Sequence, residues 1–257
     1  MIFNKIFILF KIGRKIGKSN IINIISETHK IPVFIKLFFY LLAFSFSTSK
    51  EMKSKGKENL STSIQEMGTT FIKLGQFLAT RPDIIGEKLS KELESLQDKL
   101  PPFSKKEAEK IIIENLGQSN FDHIIDLSDP IAAASIAQVH KAKIKEDNII
   151  KNVAIKVLRP NIKKIFNDEI DAIMLLAYIV ESLITKTKRL KLIEVVFLFK
   201  EITNHEMDLR FEAAAANEYA ENTKNDLGFF VPKIYWNFTS ESVLTLDWVD
   251  GVSIREK

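Results

Sequence analysis

Apolar residues recur every three or four positions at Ile64, Met67, Phe71, Leu74 and Leu78, the stripe of a helix that buries one face. Pro82 stops that helix, because it has no amide for a further turn. Leu89, Leu93, Leu96 and Leu100 predict a second helix, ended by Pro101 and Pro102. Ser104 and Glu107 form a capping-box pair that opens a third helix running through Leu116. The period then falls to two. Within residues 131–160, Val153, Ile155 and Val157 share one strand face, Ala154, Lys156 and Leu158 the other, and KEDN (145–148) reads as the turn. Helical spacing returns in Ile162, Phe166, Ile170, Ile173, Ala177, Val180 and Ile184, and a further helix is predicted over about residues 192–221. FFVPKIYWNFTSESVLTLDWVDG (229–251) closes with two β-rich runs around a turn.

The first 50 residues are apolar and basic without a clear period, and SKEMKSKGKENLS (49–61) reads as a charged linker. The apolar run IPVFIKLFFYLLAFSFS (31–47) is shorter than the ~20 residues that cross a bilayer, and Lys36 interrupts it. It reads as a membrane-surface or partner-packed helix, with Lys5, Lys11, Arg14, Lys15 and Lys18 upstream. The succession predicts an α+β fold in three parts: an apolar-basic segment and linker (1–60), a helical extension (61–129) and a lobe of strands and helices (130–257).

Composition narrows the chemistry. The 257 residues are 46% hydrophobic and 27% charged, a globular balance with enough chain for one or two cored domains. The net charge of +4 suits an anionic membrane surface or a polyanion, although lysine-rich composition alone gives the same number. That charge is dispersed and carries no aromatic–basic repeat, which argues against nucleic acid. The absence of cysteine excludes disulfides, thiolate catalysis and thiolate-bound metals. The four histidines are scattered, without metal-site spacing.

The strand region raises the chemical question. No glycine occurs between Gly117 and Gly228, so a Walker loop or GxGxxG is absent there. In its place stands AAAS, within residues 132–135. Main-chain amides of such a loop can face a phosphate, but positive-φ freedom is lost, and those residues alone favour a helix start or packed turn. Lys156, in VAIKV, either snorkels from an edge strand or needs a partner, because an unpaired buried ammonium is costly. VAIK after a loop and hairpin is also how kinases present a phosphate-gripping lysine held by a helix glutamate. HEMDLRFEAAAANEY puts Glu206, Asp208 and Glu212 in one helical window with only Arg210 among them, so cations are expected from elsewhere. Lys156 is one candidate. Lys73 is a second, on a polar face shared with Thr69, Gln76 and Thr80. Gly75, in mid-helix, costs about 1 kcal/mol relative to alanine, which suggests a close approach there.

Four stretches in order, KLGQ (73–76), AAASIAQVH (132–140), VAIKVLRP (153–160) and EMDLRFEAAAAN (206–217), resemble the UbiB (AarF/ADCK) family of atypical kinase-like proteins, and VLTLDWVDG (243–251) resembles its strand into the interlobe hinge. The resemblance implies a protein-kinase-like N-lobe with a family-specific helical extension. In that frame ATP lies under Ala133, Ala134, Ser135, Ile136, Ala137, Gln138 and Val139, and Lys156 meets its phosphates while pairing with Glu212. Lys73 and Gln76 lie on the family's KxGQ helix, with Glu206 and Asp208 holding it and Lys73 as the ion partner. It further implies an ATPase-type role in ubiquinone biosynthesis, binding of ATP or ADP, pathway proteins or lipid intermediates as partners, and a cytoplasmic position peripheral to the inner membrane.

The family's C-lobe supplies an H-x-D-type loop and a D-F-G magnesium aspartate, and neither occurs in these 257 residues. The expectation is an N-lobe without its C-lobe, with no catalytic group or metal ligand of its own and with Mg2+ bound only once a C-lobe is present. The alternative is a truncated, non-catalytic module that binds nucleotide, membrane or a partner.

Overall fold

The computed structural model describes residues 2–19, 21–22, 37, 60–94, 96, 100–146, 149–183 and 185–252. The apolar run 31–47 apart from Leu37, the linker up to residue 59, Ile184 and half of the 145–148 turn lie outside these residues. In chain order the helices are α1 (Ile2–Lys18), α2 (Leu60–Met67), α3 (Thr69–Ala79), α4 (Pro82–Ile85), α5 (Glu87–Glu94), α6 (Lys105–Leu116), α7 (Gln118–Phe121), α8 (Ile162–Leu183), α9 (Leu192–Glu206) and α10 (Leu209–Thr223). The strands are β1 (Ile124–Ile125), β2 (Pro130–Ala133), β3 (Ala137–Glu146), β4 (Ile149–Leu158) and β5 (Val243–Asp247). The chain forms two compact units, residues 1–98 with 163–201 and residues 99–162 with 202–257.

The first unit is helical. Ile12, Leu60, Met67, Phe71, Leu89, Leu93, Leu96 and Ala172 form its core. Lys5 and Lys200 both reach Asp171, at 3.0 and 3.2 Å, and their hydrogen bonds, that of Lys5 first, hold its carboxyl below the usual range. The stripe from Ile64 to Leu78 is split between two helices. Gly68 takes φ 104°, a conformation that strains any L side chain, and α3 restarts from its carbonyl. Leu100 is not helical, whereas Leu96 is buried in the core. The approach expected at Gly75 is made by Leu96: a Cβ at position 75 would run into Leu96 Cδ1. Gly75→Val is expected to destabilise the chain by about 2 kcal/mol in urea unfolding, because overpacking at a buried helix contact outweighs the gain in helix propensity.

The second unit is built on a five-stranded antiparallel sheet ordered β1-β3-β4-β5, with β2 also paired to β3. The predicted faces hold: Val153, Ile155 and Val157 are fully buried. They pack with Ile112 of α6, Tyr235, Phe238 and Val243. Thus α6, which chain order places in the helical extension, packs with the sheet. Its capping box is formed as the sequence predicts, with Ser104 and Glu107 each bonding the other's amide. Two expectations fail here. The helix expected over 192–221 breaks after Glu206, because Asp208 adopts φ −120° and caps α10 with its carboxylate. The first of the two closing β-rich runs is not a strand. Ile234 makes one bridge to Leu246, and residues Trp236–Phe238 form a 3-10 helix.

Candidate functional site

Lys156 sits on β4, with Val139 of β3 on one side and Leu244 of β5 on the other. A central strand rules out a lysine that snorkels past an edge. The side chain has a partner instead: Nζ donates to both carboxylate oxygens of Glu212, at 2.7 and 3.0 Å. Glu212 lies in the first turn of α10, where the helix dipole favours a carboxylate. Entry into α10 is fixed from several sides. Asp208 accepts from the Arg210 amide and from its guanidinium at 2.9 and 2.6 Å, and the Leu209 amide donates to the Glu241 main-chain carbonyl at 3.0 Å. His205 stacks on Phe211 at 5.0 Å. The ion pair is open, with side-chain exposures of 27% for Lys156 and 50% for Glu212, so its contribution to stability is about 0.2–1 kcal/mol.

The strand pairing sorts the alanine stretch by face. Val139 lies opposite Lys156 and shares its face, whereas Gln138 and His140 lie opposite Val157 and Ile155 on the core face. AAAS is not a helix start: β2 runs through Ala133, and the chain turns at 134–136 into β3. Ala133 and Ala134 are partly exposed, while Ser135, Ile136 and Ala137 are buried. The Gln138 side chain is fully buried. It accepts from the Phe103 amide at 2.9 Å and donates to the Phe103 carbonyl at 3.2 Å. Its Nε2 also lies 2.9 Å from His140 Nε2, and His140 Nδ1 lies 2.9 Å from the Ser128 carbonyl. Gln138 Nε2 can only donate and the Ser128 carbonyl can only accept, so His140 is neutral with its proton on Nδ1. Burial is the main cause that holds His140 below the usual histidine range. Sequence reasoning missed this network, and it also missed Arg159, whose guanidinium bonds the Ala134 carbonyl.

Lys73 and Gln76 stand on α3 in the first unit, and Glu206 and Asp208 stand in the second, at the end of α9 and at the cap of α10. Among the described residues no group of three acidic, histidine or cysteine side chains is placed to hold a metal. No helix among them is long and apolar enough to cross a membrane.

A mixed helical and antiparallel-sheet fold, with a strand lysine held by a helix glutamate, defines a kinase-like class. Residues 95–257 match the ABC1 atypical kinase-like domain, and the chain belongs to that family. It is similar to a "Probable protein kinase UbiB" of Marinobacter nauticus, 33% identical over 228 residues that make up 88% of this chain and 41% of the relative. Proteins of the same name from Azotobacter vinelandii and Pseudomonas aeruginosa are each 30% identical, across 96% of this chain and 46% of theirs. The chain thus spans less than half the length of these relatives.

Proposed function

We propose that this chain carries the nucleotide-gripping part of a UbiB-type ATPase or atypical kinase that supports ubiquinone biosynthesis. The observation that carries the reading is the Lys156–Glu212 pair on the central strand, beside a loop of small residues. The site fits the phosphates of ATP or ADP: a partly exposed cation stands between two apolar cross-strand neighbours, Val139 and the buried Leu244. Glu212 keeps the ammonium extended and aimed, and the 133–139 backbone covers the polyphosphate. Mg2+, when bound with the nucleotide, neutralises phosphate charge, and the resemblance assigns its ligands and the catalytic base to a C-lobe with H-x-D and D-F-G segments. In this reading Lys73 and Gln76, and Glu206 and Asp208, have a regulatory role. The test is a calorimetric titration of the 257-residue chain with Mg-ATP and Mg-ADP. Micromolar to sub-millimolar binding supports the reading, and no heat up to several millimolar nucleotide ends it.

A second reading, a module held at a membrane surface, is favoured by α1. Ile8, Leu9, Ile12 and Ile16 turn to the core. Ile6, Phe7 and Phe10 are exposed, and the exposed side also carries Lys11, Lys15 and Lys18. α1 contains no acidic residue. An apolar patch fringed by cations suits the headgroup boundary of an anionic bilayer, and it would place the protein peripherally at the inner membrane near lipid intermediates. Phe7→Ser with Phe10→Ser is expected to reduce binding to phosphatidylglycerol vesicles by at least about tenfold in a flotation assay, because two large apolar groups no longer insert. Unchanged flotation, or equal binding to neutral vesicles, would count against this face.

A further inference from the structure

A loop without glycine has no residue that takes positive φ at little cost, and no residue from 133 to 139 has a positive φ. Its shape must be imposed from outside, and Arg159 is the group placed to do this. Nε and Nη2 donate to the Ala134 carbonyl at 3.1 and 2.8 Å. Nη1 donates to Pro101 O at 3.0 Å, and Nη2 also reaches Leu100 O at 3.4 Å. The Arg159 amide donates to the Ile136 carbonyl at 2.8 Å, and the guanidinium lies 5.9 Å from the centre of the Phe103 ring. The loop closes the remaining gap itself, with the Ala134 amide donating to Ala137 O at 2.8 Å.

Each of these hydrogen bonds falls on main chain, so they hold the loop whatever its side chains. The planar fork meets one carbonyl with two donors while its far side holds the 100–101 strap, a geometry that the point charge of a lysine cannot reproduce. The strap is secured a second time, because the Gln138 amide brackets Phe103. Arg159 lies three positions after Lys156 and immediately follows β4. One rigid strand therefore carries the group proposed to meet the phosphates and ends at the group that fixes the loop beside it.

From this arrangement we infer that Arg159 is a positioning residue for phosphate binding, acting through the Ala134 carbonyl to preorganise the alanine loop. The inference rests on the nucleotide reading above. A preorganised loop loses less freedom when it closes on a ligand, and that advantage disappears with the clamp. The role concerns phosphate, so the nucleoside end of the ligand should not sense it.

The test uses the full chain, its Arg159→Met and Arg159→Lys variants, and adenosine, ADP and ATP as probes. Backbone hydrogen exchange is followed across residues 133–139. In Arg159→Met the loop amides are expected to exchange faster, and ATP and ADP to bind about tenfold more weakly, with adenosine unchanged. Arg159→Lys should fall between wild type and Arg159→Met in both readouts. Unchanged exchange in the loop overturns the clamp. Faster exchange with unchanged ATP affinity, or equal losses for adenosine and ATP, overturns the positioning role. If Arg159→Met does not fold, Arg159→Lys decides by the same comparisons. If wild type binds no nucleotide, the proposed function fails, and the exchange data still decide whether Arg159 holds the loop.

Discussion

Lys156→Ala is expected to weaken Mg-ATP binding by about a hundredfold while lowering the unfolding midpoint by no more than about 4 °C. The two effects separate because the same side chain has different value in the two contexts. Against Glu212 it forms a partly exposed ion pair, worth about 1 kcal/mol at most to the fold. Against a polyphosphate it supplies charge-assisted hydrogen bonds of about 1.5–3 kcal/mol each to groups that carry full charges. Glu212→Gln keeps the size and removes the charge that holds Lys156 extended, and about a tenfold loss is expected there. Both variants are read by calorimetry, with a thermal scan alongside. An ATP affinity within threefold of wild type in Lys156→Ala would remove the lysine from the site.

The second large effect falls on stability. Gln138→Ala is expected to cost about 3 kcal/mol in urea unfolding. The substitution deletes a side chain that is 0% exposed and strands the Phe103 amide, the Phe103 carbonyl and His140 Nε2 without their partner. His140 adds a pH arm to the same measurement. Burial lowers its folded pKa, so between that value and the unfolded value of about 6.5 the unfolded chain binds the extra proton. Its neutral form therefore supports the fold fully above about pH 6.5, and that support drains away as pH falls toward the folded pKa, at no more than about 1.4 kcal/mol per unit. Lys105, Asp129 and Glu109 act on the same ring more weakly than burial does. Wild type should lose stability between pH 7 and 5 more steeply than His140→Gln, and parallel slopes would assign the acid sensitivity to other groups.

How much of this was legible depended on whether the signal was local. The α6 capping box could be read because both partners lie within one turn. The buried face of β4 could be read because alternation is a property of the strand itself. Helix breaks were harder, since apolar spacing continues unbroken across Gly68 and across Asp208, and only backbone geometry reveals the restart. Gly68 was the available clue to the first break, and an aspartate followed closely by a first-turn glutamate was the clue to the second. The 229–238 run misled because its apolar residues do not share one buried face: Phe229, Phe230 and Trp236 are exposed, and Ile234, Tyr235 and Phe238 turn inward. Gln138 and His140 keep step with Ala142 and Ile144, so strict alternation would have placed them inward, although polarity argues the opposite. Arg159 bonds to carbonyls, and a carbonyl leaves no mark on a sequence.

The sheet order also bears on how the protein is made. β3 and β4 are neighbours in the chain and can zip as soon as residue 158 clears the ribosome, but Val157 finds its second partner only at Val243. Throughout synthesis of the intervening helices, one side of β4 is an unfinished rim of open amides and carbonyls, the kind of template on which nascent chains join each other. Lys156 stands within that stretch, and a lysine on an open rim discourages such pairing. The charge proposed to meet a nucleotide in the finished protein is thus also suited to guard the strand while the protein is still being built.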